Sequence, residues 1–398
     1  MLKMERYEYE KYVTDQDHIK EMLEKYGVAI IPNILDKEEC YAMYKGMWES
    51  MEHATNNFRV PLNKDHYFVW NNFVKGTGKD ETKDEIKDMK YEMKDEMKDE
   101  MYEEIWNDNN IQIKNMKIKD SKINITIETK TLPPLKEDDK ASWSTFTHLY
   151  PLHNQLIQHH TLTHSQYYWN IRQNEKIVDV FAHLWGVKRE ELLVSFDGLS
   201  LCLPPETVKK GWHGKDWLHV DQSYTNNKFD CVQSWVTAKD INKGDSTLTF
   251  LESSHLYHKK CAKKYKITDN TDWYKLNEKE LKYYEKKGCT QKSIMCPAGS
   301  LVLWDSRLVH AGQNPLKERK ESNTRCIVYV CYTPRNRSTP ANIKKRINAF
   351  ETLRTTNHNP HKCKLFNQYP RTYNNPLPFI TNVDPPVLND LGKKLVGY

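Results

Sequence analysis

Along this 398-residue chain the apolar positions change their spacing from one region to the next, and each spacing predicts a different element. Residues 27–35 (GVAIIPNIL) are an almost unbroken apolar run, which predicts a short buried strand. Asp36 follows, with Glu39 three residues on, a pairing that starts a helix running to about His53. In residues 166–185, Trp169, Ile177, Val180, Phe181 and Leu184 can share one helical face, and Gly186 supplies a C-cap. Strand-like runs then occupy 194–203, 216–222, 231–239, 247–252, 292–296, 300–304 and 325–333, interrupted by a Lys-, Glu- and Tyr-rich helical excursion at 256–291. Many short strands joined by turns predict a mainly β protein with flanking helices, its core a sandwich or a jelly roll. From residue 334 the tail holds one helix, near 341–355, and then Pro-rich extended sequence.

Residues 76–107 break this pattern. Ile86, Met89, Met93, Met97, Met101 and Ile105 recur at nearly every fourth position among alternating Lys, Asp and Glu. A helical stripe of that spacing drifts by about 40° per repeat. The segment reads as a solvated low-complexity insertion, with a docking helix for a partner as the alternative. Polar, Lys- and Asn-rich sequence continues to residue 141, with one β-like run, INITIETKTL. The expected layout is an N-terminal packing region (1–75), a charged insertion (76–141), a core domain (142–335) and a C-terminal extension (336–398).

Composition narrows the class. A net charge of +6 is mildly basic and fits evenly spread lysine; a basic surface for nucleic acid is the alternative. The nine cysteines are irregularly spaced and include no CxxC pair, which reads as reduced, buried thiols in an intracellular, cytoplasmic protein. No secretory signal and no membrane span are expected. The lysine-rich, insertion-bearing style would suit a large DNA virus or a protist. No Gly-rich phosphate loop and no Ser-centred nucleophile elbow is present.

The chemistry concentrates in two motifs. In WLHVDQS (217–223), His219 and Asp221 stand two apart on a strand, so their side chains share a face. His310 follows the apolar run LVLWDSRLV. Two imidazoles and one carboxylate leave half an octahedral metal's positions open, the facial triad of non-haem iron(II) oxygenases. With 16 His and 54 acids, about two His-x-acid matches are expected by chance, so the context carries the weight. Arg325 opens a further strand, RCIVYVCYTP, where its side chain can point inward with Ile327, Tyr329 and Cys331. An inward guanidinium requires an anion. A dicarboxylate co-substrate supplies one, and a structural ion pair does so equally well.

Taken in order, GVAIIPNIL–DKEEC, WLHVDQS, the SSH of 253–255, PAGSLVLWDSRLVHAG and RCIVYVCYTP make this sequence similar to the phytanoyl-CoA dioxygenase-like family of iron(II)- and 2-oxoglutarate-dependent oxygenases. The resemblance spans roughly residues 25–60 and 145–335. It implies a double-stranded β-helix (a cupin-like jelly roll) with Fe(II) held by His219, Asp221 and His310, O2 as oxidant, and Arg325 on the distal carboxylate of 2-oxoglutarate. An intact Asp221 implies hydroxylation rather than halogenation. The spacing to Arg325 is longer than usual for the family, which makes Arg319 a rival. Gly312 stands where several relatives have Ser.

Other residues are assigned by position. Trp235 and Thr247 lie on neighbouring strands and could line the co-substrate pocket or pack the core. Gln222, Arg172, Trp304 and Arg307 are candidates for substrate contact, with Asp305–Arg307 alternatively a structural pair. The histidines of 148–164, and His255 and His258, read as packing or surface residues. The expected activity is hydroxylation of an unactivated C–H bond in a small or medium organic molecule. The alternatives are the same chemistry on nucleic acid or protein, or a catalytically inactive jelly roll that binds.

Overall fold

The computed structural model describes residues 2–76, 103–106, 110–118, 121–149, 156–208, 217–372 and 375–398. Two six-stranded sheets dominate it. One runs in the order Val28–Ile31, Leu301–Asp305, Val232–Thr237, Arg325–Val330, Leu199–Cys202, Leu156–Ile157. The other runs Tyr7–Glu8, Gln291–Ile294, Thr247–Leu251, His310–Gln313, His219–Val220, Tyr274–Lys275. From Leu199 to Val330 the chain repeatedly crosses between the sheets, apart from the three consecutive strands Thr247–Leu251, Tyr274–Lys275 and Gln291–Ile294, which stay in the second.

Period-two alternation sorts the side chains of the first sheet. Val28, Ile30, Val302, Trp304 and Trp235 turn one way and pack with Leu248, Phe250 and Ile294 of the second sheet. Ala29, Ile31, Leu301, Leu303 and Val236 turn the other way and pack on helices. Those helices are the ones the 3.6-residue spacing predicts. Lys37–Thr55 opens with a complete capping box between Asp36 and Glu39 and buries Met43, Met47, Trp48 and Met51. Each such side chain contributes about 1.5–3 kcal/mol by leaving water.

Several expectations are corrected. The 166–185 helix is two helices, Gln166–Arg172 and Glu175–Trp185, because the Asn174 side chain accepts from Lys176 and Ile177 and restarts the chain. The tail has a second helix, Asp390–Val396, begun by Asn389. The INITIETKTL run lies in Ser121–Thr131, which belongs to a four-stranded sheet with Arg59–Pro61, Asn110–Ile118 and Glu103–Trp106. Ile105, the last position of the fourfold repeat, is therefore in a strand, and the rest of that repeat lies outside the described residues. The 256–291 excursion carries helices His258–Tyr265 and Glu278–Lys286, which bury Cys261, Tyr283 and Tyr284 against Val220, Leu251 and Val309 of the second sheet. All nine cysteines are buried and free of disulfides. Among the described residues, no helix is long and apolar enough to cross a membrane.

Candidate metal centre and its cavity

Three side chains meet where two short strands of the second sheet pair. His219 and His310 are direct cross-strand partners, so their rings are neighbours, 4.5 Å between centroids. His310 does not close the Leu301–Asp305 strand, as its sequence context suggests. A turn at 306–309, with Leu308 N–H donating to Asp305 O, carries the chain into the other sheet, and His310 opens the next strand there. Asp221 stands just past the two-residue His219–Val220 strand, with the backbone N–H groups of Asp221 and Gln222 on Ser306 O.

The hydrogen bonds fix which atoms face one another. His219 Nδ1 lies 2.8 Å from Trp217 O, and His310 Nδ1 lies 2.9 Å from Leu308 O. A carbonyl only accepts, so both Nδ1 atoms carry a proton and both Nε2 atoms present a lone pair. Those Nε2 atoms lie 3.1 Å and 3.2 Å from the two oxygens of Asp221. Gln233 Nε2 donates to Asp221 Oδ2 at 2.6 Å, while Asp221 Oδ1 is buried without a hydrogen-bond partner. Three acceptors thus converge within 4.8 Å with no donor between them, an arrangement a metal cation satisfies.

The site opens into a cavity of about 390 Å³ between the sheets, within the range of small-molecule sites. Arg325 lies in its wall. Its Nη1 donates to Ser200 Oγ at 3.3 Å and reaches Cys202 Sγ at 3.9 Å, the guanidinium stands 5.5 Å from the Trp235 ring, and Nε has no partner. No carboxylate among the described residues pairs with it. The other buried arginines spend their Nη groups on carboxylates or backbone carbonyls, although Nε of Arg172 and of Arg354 also lacks a partner among the described residues. Arg319 binds Glu206 and, at 3.1 Å, Asp245, which removes it as the rival. Arg346 donates to four backbone carbonyls, and Arg172 donates to Thr163 O and Asp197 O.

The model of the family described as phytanoyl-CoA dioxygenase matches residues 23–315, more than half of the chain. The chain belongs to the phytanoyl-CoA dioxygenase family. It is also similar to the Ava biosynthesis cluster protein O of Aspergillus versicolor, 26% identical over 234 residues, which are 57% of this chain and 73% of that protein. Among solved structures, AviO1 from Streptomyces viridochromogenes Tue57 aligns at 10% identity over 82% of this chain and 96% of its own, with a TM-score of 0.36. HygX from Streptomyces hygroscopicus, with nickel and 2-oxoglutarate bound, aligns at 9% identity over 81% and 87%, with a TM-score of 0.36. The chain is thus an oxygenase-type enzyme by family, and iron and 2-oxoglutarate are the cofactor and co-substrate that membership implies.

In this phytanoyl-CoA dioxygenase family member, Trp235, Thr247 and Trp304 all line the cavity, and Thr247 Oγ1 and Trp304 Nε1 are buried without partners. Gly312 lines it too. The remaining substrate candidates are absent from its lining. Gln222 spends its amide on Asn226 O and Lys228 O. Arg307 clamps Asp305 and reaches Asn227 O, the structural pair that sequence left open. Arg172 is fully buried under Tyr168, 4.2 Å from its ring. Of the 148–164 histidines, His164 packs on Phe196 and bonds Arg354 O. His258 bridges Asn227 and Gln222.

Other lining residues had no sequence signal. Gln233, which orients Asp221, was readable only as a polar position facing inward two residues from Trp235. Asp197, Trp273, His358 and Phe366 also line the cavity. Burial raises the Asp197 carboxyl, whereas His358, which burial alone would lower, is held above its ordinary value by Asp221 and Asp197.

Proposed function

We propose that this protein is an iron(II)- and 2-oxoglutarate-dependent dioxygenase that hydroxylates an unactivated C–H bond of a small or medium organic molecule, on a double-stranded β-helix core. The observation that carries the reading is a pairing within one cavity: three convergent metal-ligand atoms and a buried guanidinium with no carboxylate of its own. The two facing sheets with alternating strand membership support the β-helix.

His219, Asp221 and His310 would hold the metal. Bound there, iron(II) supplies the oxygen chemistry that imidazole and carboxylate cannot perform. The protein's part is positional. The backbone carbonyls of Trp217 and Leu308 fix both ring tautomers, and Gln233 fixes the carboxylate. Arg325 binds and orients the diacid, with Thr247 Oγ1 as a further donor near it. Trp217, Trp235 and Trp304 narrow the cavity's water content by bulk. A cavity of about 390 Å³ supports a compact substrate rather than a polymer.

The test is succinate release from 2-oxoglutarate in air with iron(II), alongside metal analysis. The metal-loaded protein is expected to form succinate, and Arg325→Met to form far less at limiting 2-oxoglutarate. A chain that takes up metal but neither binds nor consumes 2-oxoglutarate would sink the reading.

A further inference from the structure

The cavity has a second polar end that the metal and the diacid leave unused. Arg325 pairs in register with Cys202, the last residue of the Leu199–Cys202 strand, whereas Asp197 precedes that strand's first residue. The guanidinium and this carboxylate therefore occupy opposite ends of one strand. The C-terminal extension is laid along the Asp197 end by main-chain pairing: Thr356 N–H donates to Phe196 O, and Phe196 N–H to Thr356 Oγ1. This pairing delivers His358 to the cavity wall. A short antiparallel return, Thr356 against Leu365, brings Phe366 back to the same wall.

His358 is the telling group. It is 94% buried, lines the cavity, and makes no hydrogen bond to any described residue. Neither ring nitrogen is sealed from solvent without a partner, so the imidazole is available to pair with a ligand in the cavity. Among the described residues the Asp197 carboxylate accepts only from the Gly198 N–H, at 2.6 Å, which leaves lone pairs for a ligand. Trp273 closes this end. Its backbone sits at φ +64°, a conformation rare for a bulky residue and costly enough to need a purpose. Its ring stands edge-on to His358, 5.6 Å away, and 6.0 Å from the Phe366 ring.

We propose that Asp197 and His358, flanked by Trp273 and Phe366, form the substrate-recognition end of the cavity, and that the substrate is a ring compound bearing a free hydroxyl. This rests on the oxygenase reading above and adds the substrate class. A hydroxyl is the group that donates to a carboxylate while accepting from an imidazole N–H. With the imidazole donating its N–H, an ammonium, which only donates, would leave His358 bare, and a carboxylate, which only accepts, would leave Asp197 bare. The two aromatic side chains take the face of a ring.

The experiment is calorimetry on the nickel(II)-loaded full chain saturated with 2-oxoglutarate, titrated with phenol and cyclohexanol and with their methyl ethers, anisole and methoxycyclohexane. Phenol against cyclohexanol distinguishes a flat aromatic ring from a saturated one. At least one alcohol is expected to bind about tenfold or more tighter than its ether, since masking the hydroxyl strips one buried hydrogen bond to a charged group. Asp197→Asn and His358→Phe are each expected to erase that preference while leaving 2-oxoglutarate affinity within about twofold. Equal binding of alcohol and ether by the wild-type protein, a comparison that needs no variant to fold, overturns the proposal. So does a preference that survives both substitutions. If the wild-type protein fails to bind 2-oxoglutarate at all, it is the oxygenase reading that falls.

Discussion

The two ends of the cavity are built from different material. Apart from Asp221, which stands just past its strand, the metal and Arg325 end is made of strand residues held by sheet pairing: His219 opposite His310, Arg325 opposite Cys202, and Trp235 opposite Tyr329. The Asp197 and His358 end is made of connecting chain. It comprises a residue before a strand, a tryptophan in a left-handed turn and a return within the C-terminal extension. Sheet pairing fixes a side chain's position by many hydrogen bonds at once, which suits atoms that must share a metal. Connecting segments tolerate exchange, which suits the part that tells one substrate from another. The family match covers His219, Asp221 and His310 and stops at residue 315, before Arg325, His358 and Phe366.

The comparison breaks most severely at the metal. Asp221→Ala removes the one anionic ligand and leaves two neutral imidazoles, so metal affinity is expected to fall by well over about 100-fold, beyond the loss typical of an outer-shell change. The readout is metal content after dialysis. The wild-type protein should also gain thermal stability with added nickel(II), about 2.7 kcal/mol at a hundredfold excess over Kd, and the variant none. Retention of stoichiometric metal by Asp221→Ala would place the ion elsewhere. Next in size is Arg325→Met. Loss of a charge-assisted pair costs about 1.5–3 kcal/mol, an expected weakening of 2-oxoglutarate of roughly 10- to 150-fold, with metal content unchanged. Arg319→Met is its control: it breaks contacts to Glu206 and Asp245, so it should lower the melting temperature and spare 2-oxoglutarate affinity.

The same division explains what could be read without coordinates. His219, Asp221 and His310 were legible because local spacing and strand context announce them. Arg325 could not be settled that way. Whether a buried guanidinium meets a protein carboxylate depends on contacts far away in the chain: Arg319 meets Glu206 and Asp245, whereas Arg325 meets no carboxylate among the described residues. Gln222, Arg172 and Arg307 were chosen for nearness to motifs; their donor groups go to backbone carbonyls or to Asp305, and none of the three lines the cavity. His358 was invisible because it stands in an irregular tail, well beyond the strands that carry the other histidines of the site. Nothing periodic reports on which residue a loop will deliver to a wall. The break at Asn174 was missed for a simpler reason: a side-chain cap interrupts a helix without disturbing its apolar stripe.

A smaller test probes the strand-built end. Gln233 Nε2 donates to Asp221 Oδ2, so Gln233→Leu leaves that oxygen free to turn. Metal affinity is expected to drop by roughly 10- to 100-fold, less than for Asp221→Ala, with alcohol-over-ether preference intact once metal is restored by excess. A variant with native metal affinity would show that the carboxylate is oriented by the metal alone.

The smallest effect falls on the other end, and it has a pH signature. Asp230 anchors the extension that carries His358, meeting Lys362 at 3.0 Å, His361 at 3.6 Å and Arg337 at 3.8 Å. The hydrogen bond from His361, working against burial and aided by Lys362, pushes its carboxyl below the ordinary aspartate value. A carboxyl lowered on folding stabilises the folded state fully above its unfolded pKa, about 3.9, and loses that contribution as pH falls toward the folded value. Asp230→Asn should therefore melt lower than the wild-type protein by an amount worth about 1 kcal/mol, the scale of a partly exposed ion pair. The gap should be constant from pH 7 to about 5 and should close below about pH 4. Nickel(II) binding should be untouched, because Asp230 and its partners lie outside the strands that carry His219 and His310. A gap that persists undiminished at pH 3, or a loss of metal affinity in the variant, would mean that the two ends of the cavity are not separately supported.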